Sequence, residues 1–163
     1  MTCSFVPPYL LEQIGATATL SLDAQVRALR AAGTPRPRST PTAAAPGALA
    51  VVPEWTVHSA DGTTSLPGRA VRSKGEAATG DPAVDEGADG ADAALRLFAE
   101  EFGRSSYDGA GAAVSVTVHY GRDYDNAFWD GVQLVFGDGD GEIFGRFTRP
   151  VDQQVIGPVG IAR

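Results

Sequence analysis

The chain has 163 residues, of which 13 are Lys or Arg and 20 are Asp or Glu, so its formal net charge at pH 7 is −7. This length suits one compact core, or one lobe with an extension. The acidic balance argues against a nucleic-acid or anionic-membrane surface, because both favour clustered cations. No apolar run approaches the roughly 18 to 20 residues of a membrane span. We therefore expect neither nucleic acid nor a membrane among the partners.

The first residues do not have the basic region and apolar stretch of a secretory signal, since Pro7 and Pro8 stand at their centre. The single cysteine, Cys3, permits no internal disulfide. The cysteine count therefore does not indicate whether the protein works in an oxidising or a reducing compartment.

Residues 9–32 predict one or two short helices. An apolar cluster starts the segment, and after Gly15 the side chains of Val26 and Leu29 recur three residues apart, with Ser21 or Asp23 as the expected cap. Residues 31–50 contain four prolines among small residues, a composition that predicts an extended linker. In a precursor, exposed chain of this kind is the preferred site of proteolytic cleavage.

The next part of the chain predicts short strands. Leu49–Val52 and Glu54–His58 are expected as strands, and Asp61-Gly62 suits the turn of a hairpin. Leu66–Gly75 predicts a further turn and strand.

A long helix is predicted from Pro82 to Phe102. Its apolar positions recur every three or four residues and form one stripe; they are Val84, Ala88, Ala91, Leu95, Phe98 and Phe102. Asp81 is the expected N-cap and Gly103 the expected stop. Gly87 and Gly90 each weaken the helix by about 1 kcal/mol relative to alanine, so tertiary packing must stabilise it.

The last third of the chain predicts two strands with a polar turn between them. Val114, Val116, Val118 and Tyr120 alternate with Ser115, Thr117 and His119, and a second strand spans Val132–Phe136. Phe128 and Trp129 fall between them beside Asn126, on a connection or a sheet edge. Such an edge offers unpaired main-chain groups to an extended peptide. The expected fold class is α+β, a β-rich lobe with one long helix preceded by a short helical segment.

Three runs carry a resemblance to a known family, namely His119-Tyr120, Asn126-Ala127-Phe128-Trp129-Asp130-Gly131 and Phe136-Gly137-Asp138-Gly139-Asp140-Gly141. They resemble the N-terminal lobe of the thermolysin family of zinc endopeptidases. The opening run from Cys3 to Glu12 is similar to the pro-segment of the protealysin-like branch. The resemblance implies a pro-segment at 1–30, a linker at 31–50, the N-terminal lobe at 51–152 and a divergent tail at 153–163.

The same resemblance implies site residues and an activity. Asn126, Ala127, Phe128 and Trp129 would hold peptide substrate by its main chain, and the pro-segment motif is Pro7, Pro8, Tyr9 and Leu10. The complete enzyme would hydrolyse peptide bonds with zinc-bound water. The implied partners are peptide or protein substrates and a cognate peptidase. Secretion is implied as well, with a cytoplasmic location as the alternative.

The zinc ligands of this family lie in a His-Glu-x-x-His motif, whose Glu is the general base. The motif does not occur in the sequence, and one alignment places Pro158 where the first ligand is expected. We therefore expect no catalytic residue, and neither zinc nor calcium held by this chain alone. By resemblance Asp152 aligns with a calcium-binding carboxylate.

Other candidate ligands have structural interpretations that we favour. His119 is expected to be a structural or surface imidazole, since no second His or Cys has metal spacing, and His58 is isolated too. Asp138-Gly139-Asp140-Gly141 is expected to form a tight turn, because it lacks the further ligands of a calcium loop. Cys3 is either a latent zinc ligand or inert.

Three interpretations stay open at this level. The first is the inactive N-terminal part of a thermolysin-like precursor. The second is a non-catalytic pseudo-peptidase module that binds peptides or inhibits a peptidase. In the third, residues 153–163 arise from a frameshift or a wrong gene boundary.

Overall fold

The computed structural model describes residues 5–32 and 52–149. Its elements in chain order are α1 (Pro8–Gln13), α2 (Thr17–Ala32), β1 (Trp55–Ser59), β2 (Arg69–Ser73), α3 (Pro82–Phe102), β3 (Val114–Val118), β4 (Ala127–Trp129) and β5 (Gln133–Phe136). The fold class is α+β, as predicted. No helix within these ranges is long and apolar enough to cross a membrane.

Most predicted boundaries agree with the structure to within a residue or two. The strands expected at Glu54 and Val132 each begin one residue later, and α2 continues to Ala32, inside the range predicted as linker. Of the strand predicted at 49–52, the first three residues lie outside the described ranges, as do residues 33–50, and Val52 is not in a strand.

The five strands form one mixed sheet in the order β2-β1-β3-β5-β4. The pairs β1/β3 and β3/β5 are parallel, while β1/β2 and β4/β5 are antiparallel. The predicted hairpin is therefore present, and Asp61 and Gly62 both have positive φ. Its connection, residues 60–68, is longer than a two-residue turn. The sheet ends in β4 on one side, which makes this short strand an edge.

Helix α3 packs on one face of the sheet and contacts β1, β2 and β3. It begins as predicted, because the Asp81 carboxylate accepts hydrogen bonds from the main-chain N–H groups of Ala83 (2.9 Å) and Val84 (3.4 Å). Gly87 has a packing reason: a Cβ there would lie 3.4 Å from methyl groups of Val116 and Val118. This close approach of helix and sheet offsets the weak helix propensity of glycine.

The predicted apolar stripe of α3 is buried only in part. Its members from Val84 to Leu95 are buried, but Phe98 is half-buried and Phe102 is 67% exposed. The stripe that the sequence predicts is therefore present, but its burial ends after Leu95.

Helices α1 and α2 pack near β4 and β5. Because strand side chains alternate between faces, Leu134 and Phe136 pack against the cluster under α3, while Val135 joins a second cluster. That second cluster contains Val26 of α2 and Phe128 of β4. The N-terminal helices thus join the lobe through β5 and the edge strand.

Candidate peptide-docking edge

Strand β4 directs part of its main chain away from the sheet. The two residues that flank β4 bond toward β5: the Asn126 carbonyl accepts from Gly137 N at 3.0 Å, and Asp130 N donates to Gln133 O at 3.2 Å. The main-chain groups of Ala127 therefore point outward. The outward carbonyl of Ala127 accepts a hydrogen bond from Phe5 N at 2.9 Å. The edge that the sequence places at Asn126 to Trp129 is an edge in the structure, and its first outward position is occupied.

The N-terminal segment Phe5-Val6 lies against this edge. Phe5 N donates to the Ala127 carbonyl, and the main chain of Val6 bonds to the side chain of Asn126. One main-chain bond and two bonds to a side chain thus hold the segment. The lobe therefore binds its own N-terminus at a sheet edge, where an added strand can also bind.

The side chain of Asn126 holds the main chain of Val6 at both ends. Asn126 Oδ1 accepts from Val6 N at 2.7 Å, and Asn126 Nδ2 donates to Val6 O at 3.0 Å. Oδ1 also accepts from Ala127 N at 2.9 Å, and Nδ2 donates to Asp23 Oδ2 at 3.0 Å. The four bonds use the whole hydrogen-bonding capacity of a carboxamide. This explains how a fully buried Asn is accommodated.

The two prolines end the N-terminal segment and start α1. Pro7 is extended, with φ −74° and ψ 149°, and Pro8 occupies the first helical turn, where its missing N–H costs nothing. Leu11 is fully buried and packs with Val6, Ala127 and Phe147. Tyr9 and Leu10, the other residues of the predicted motif, are exposed. The apolar anchor of α1 is therefore Leu11.

Helix α2 supplies the polar contacts that sequence reasoning missed. Ser21 and Asp23 both lie inside α2, which begins at Thr17, so the prediction that one of them caps the helix is wrong. Asp23 is buried and accepts hydrogen bonds from the Tyr124 hydroxyl and the Asn126 amide. Thr19, one turn earlier, accepts from Asp125 N at 2.9 Å. The spacing of Thr19, Asp23 and Val26 along one face was the available signal.

Three aromatic rings line the side of the edge that faces α2. Tyr120, Tyr124 and Phe128 meet edge to face, with centroid separations of 5.2 to 6.1 Å. Burial, and then the hydrogen bond to Asp23, raise the pKa of the Tyr124 hydroxyl far above its usual value. Tyr124 therefore stays protonated and donates to Asp23.

Burial raises the pKa of the Asp125 carboxyl to about 6, and the nearby Asp140 and Asp123 carboxylates add to the effect. The main-chain N–H of Asp140 donates to Asp125 at 2.8 Å and opposes the shift. The segment beneath α2 thus includes a carboxyl that is harder to ionise than usual.

Trp129 points away from Phe128 and lines an apolar groove. The groove has a volume of about 710 Å³ and lies between α3 and the part of the sheet that α3 leaves uncovered. Its floor includes Val116, Leu134 and Phe136, and the Trp129 ring meets Tyr107 at 5.2 Å. The two aromatic residues of β4 therefore serve opposite faces.

His119 has a structural role, as predicted. Its Nδ1 lies 2.8 Å from Asp138 Oδ2 and its Nε2 lies 3.0 Å from Asp81 Oδ2. The hydrogen bond to Asp138 is the largest cause that raises the pKa of His119 to about 9, and partial burial opposes it. The protonated ring joins the end of β3, the start of α3 and the loop after β5.

The Asp138–Gly141 run forms a turn. Asp140 Oδ1 accepts from the main-chain N–H groups of Glu142 (2.9 Å), Ile143 (2.9 Å) and Phe144 (3.2 Å). Asp138 is engaged with His119. These bonds use the carboxylates for local structure, in agreement with the tight turn that the sequence predicts.

The described residues do not fit a zinc site. Within 5–32 and 52–149, no group of three or more His, Cys, Asp or Glu side chains could hold a metal ion. Both nitrogens of His119 are engaged with carboxylates, and His58 contacts Ser115 Oγ at 3.2 Å. Cys3, Asp152 and Pro158 lie outside the described residues.

The geometry defines a class of structure: an α+β lobe whose edge strand binds an N-terminal segment of its own chain. Residues 53–156 match the sequence model of the thermolysin metallopeptidase catalytic domain. The chain belongs to the thermolysin metallopeptidase family and corresponds to the N-terminal part of its members.

Individual relatives agree with this assignment. The chain is 41% identical over 160 residues to an extracellular metalloprotease of Pectobacterium carotovorum subsp. carotovorum, a match that covers 92% of this chain and 44% of that protein. It is 44% identical over 101 residues to protease PrtS of Photorhabdus sp. (strain Az29), covering 62% of this chain and 27% of that protein.

A solved structure is similar over both the N-terminal segment and the lobe. The precursor of protealysin, a metalloproteinase from Serratia proteamaculans, superposes with a TM-score of 0.68 at 36% identity. The match covers 90% of this chain and 42% of that one. The chain thus spans less than half the length of these relatives.

Proposed function

We propose that this chain is the latent N-terminal part of a thermolysin-like zinc metalloendopeptidase precursor, and that its edge from Asn126 to Trp129 docks peptide or protein substrates. One observation carries the proposal: the main-chain groups of Phe5 and Val6 already bond to the Ala127 carbonyl and the Asn126 side chain at this edge. A peptide substrate offers the same N–H and C=O groups.

Latency follows from competition for the same atoms. The Ala127 carbonyl and the Asn126 carboxamide bind Phe5 and Val6, so a substrate strand cannot use them at the same time. Cleavage in the linker predicted at 31–50 would convert the N-terminal segment from a tethered ligand into a dissociable one, because the effective concentration provided by the tether is lost.

Hydrolysis belongs to the complete enzyme in this proposal. The 163 residues contain no His-Glu-x-x-His, and the described donors do not fit zinc, so this chain supplies docking and not the catalytic step. Calcium binding by Asp152 is likewise assigned to the complete enzyme. Export is proposed because a relative is named an extracellular metalloprotease.

A second candidate is a non-catalytic module that binds peptides or inhibits a peptidase. It is favoured by the observation that the edge engages a peptide segment without any metal ligand among the contacts. Both candidates require the edge to bind peptide. They differ in whether this chain forms part of a zinc peptidase or acts as a separate, non-catalytic module.

Docking can be tested with a synthetic copy of residues 5–13 as a fluorescent probe. Phe5→Pro removes the N–H that binds Ala127, whereas Phe5→Ala removes the ring and keeps that N–H. We expect the proline variant to bind the probe more tightly than the alanine variant and the unmodified chain, because its own segment has lost one bond to the edge and competes less well. Equal affinities for the three proteins would contradict docking at this edge.

Catalysis is tested separately on the purified chain. We expect neither a 1:1 zinc complex nor cleavage of casein or a furylacryloyl dipeptide. Chelator-sensitive proteolysis by the purified chain would contradict the assignment of hydrolysis to the complete enzyme. Inhibition of a cognate peptidase by the chain would favour the second candidate.

A further inference from the structure

We propose that Asp23 is a positioning residue that sets the orientation of the Asn126 carboxamide and thereby determines how the N-terminal segment holds the docking edge. This inference rests on the proposed function, since it concerns regulation of that same edge. It gives α2, which carries Asp23, a role in the contact between Phe5-Val6 and the edge.

The first step is the chemistry of the contact. Asp23 Oδ2 accepts from Asn126 Nδ2 at 3.0 Å, and Asp23 Oδ1 accepts from the Tyr124 hydroxyl. A carboxylate can only accept hydrogen bonds. It therefore selects the NH2 end of the Asn126 side chain and turns that end toward α2.

The second step is the consequence at the edge. With Nδ2 directed to Asp23 and Val6 O, Oδ1 faces the N–H groups of Val6 and Ala127. A flipped carboxamide would bring Nδ2 against two N–H donors and Oδ1 against two oxygen acceptors. All four contacts would be lost together, and unpaired buried polar groups are costly. Asp23 therefore keeps Oδ1 available to the main-chain N–H of Val6.

The third step is the dependence of Asp23 on its donors. Asp23 is buried, and the hydrogen-bond donors that contact its carboxyl among the described residues, Tyr124 and Asn126, are neutral. A buried carboxyl depends strongly on each donor, because losing one leaves a polar group unpaired. The orientation of Asn126 and the hydrogen bonding of Asp23 therefore depend on each other.

Asn126 is the only asparagine in the chain, so labelling with [15N]asparagine yields one side-chain NH2 pair in the NMR spectrum of the full chain. In the unmodified chain we expect two separated proton resonances that exchange slowly with solvent. Asp23→Ala should shift both resonances and accelerate their exchange by about tenfold or more, since a hydrogen bond to a charged group is lost.

Two control variants distinguish a direct effect on the Asn126 amide from a general weakening of α2 packing. Gln25→Ala changes an exposed residue of the same helix and should leave the NH2 pair unchanged. Thr19→Val removes the bond to Asp125 N and weakens α2 docking, yet it does not touch the Asn126 amide. We expect it to accelerate opening of α2 while the NH2 shifts of the docked state stay as in the unmodified chain.

Asp23→Leu tests the same point with a side chain of similar size and adds no second asparagine, and it serves as the variant to measure if Asp23→Ala does not fold. Leucine cannot accept a hydrogen bond, so the shift and the exchange rate expected for Asp23→Ala are expected here too. NH2 resonances of Asp23→Ala or Asp23→Leu that match those of Gln25→Ala would overturn the proposal, as would an equal shift in Thr19→Val. Probe-peptide binding decides the proposed function independently of these spectra.

Discussion

The ion-pair network around His119 makes a quantitative prediction about stability and pH. His119→Asn removes the imidazole but keeps a residue that tolerates the local backbone, where φ is 56°. Asparagine is too short to reach both Asp81 and Asp138. The variant therefore disconnects three elements that the protonated ring joins, with little added backbone strain.

The magnitude follows from the pKa of the ring. The pKa of His119 rises from 6.5 to about 9, and at about 1.4 kcal/mol per unit the ceiling is about 3 kcal/mol. The His119 side chain is 24% exposed and both carboxylates are 42% exposed, so solvent screens the pair. We expect a net loss in the free energy of unfolding of about 1 to 2 kcal/mol at pH 6.

The sign of the pH dependence is fixed by the direction of the shift. Because the folded pKa lies above the unfolded value, this contribution is fully present below pH 6.5 and is lost as pH rises through about 9. Urea unfolding at pH 6 and at pH 9.5 measures it. The difference between the unmodified chain and His119→Asn should fall by at least half at the higher pH.

The other histidine provides a matched control. His58→Gln should leave the loss of stability between pH 6.5 and 9 in place, because His119 is unchanged. The reasoning would be refuted if His119→Asn were equally destabilising at both pH values. It would also be refuted if the His119 variant kept the full pH dependence while the His58 variant lost it.

Two further predictions concern the linker and the groove. Limited trypsin should cut first after Arg38, since the prolines at 31–50 oppose regular structure, and later after Arg30, which lies in the last turn of α2. Initial cleavage within Leu95–Phe102 would contradict both the linker and α3. The unmodified chain should bind a hydrophobic dye in the apolar groove, measured by fluorescence titration. Ala94→Glu places a charge on the groove wall and should weaken dye binding, while Ala93→Glu on the same helix, outside that wall, should not. Equal dye binding by the two variants would show that the dye lies elsewhere.

The sequence by itself determined the features that depend on neighbouring residues. The start of α3 was predictable because Asp81 and the proline after it satisfy or remove donors within one helical turn. The alternation in β3 and the placement of Phe128 and Trp129 beside a strand likewise follow from local pattern. Residues 119–141 also carried the family resemblance that the comparisons confirm.

Only the tertiary structure decided which distant groups meet. Asp23 and Val6 reach Asn126 across 103 and 120 positions of sequence, and no local rule reveals such a pairing. The same limit explains the exposed end of α3, because periodicity identifies an apolar stripe but not the extent of the surface that covers it. Whether a side chain is buried or bonded depends on what its segment packs against. The contact of Val6 and Asp23 with Asn126 therefore appears only when the N-terminal helices and the edge strand are placed together.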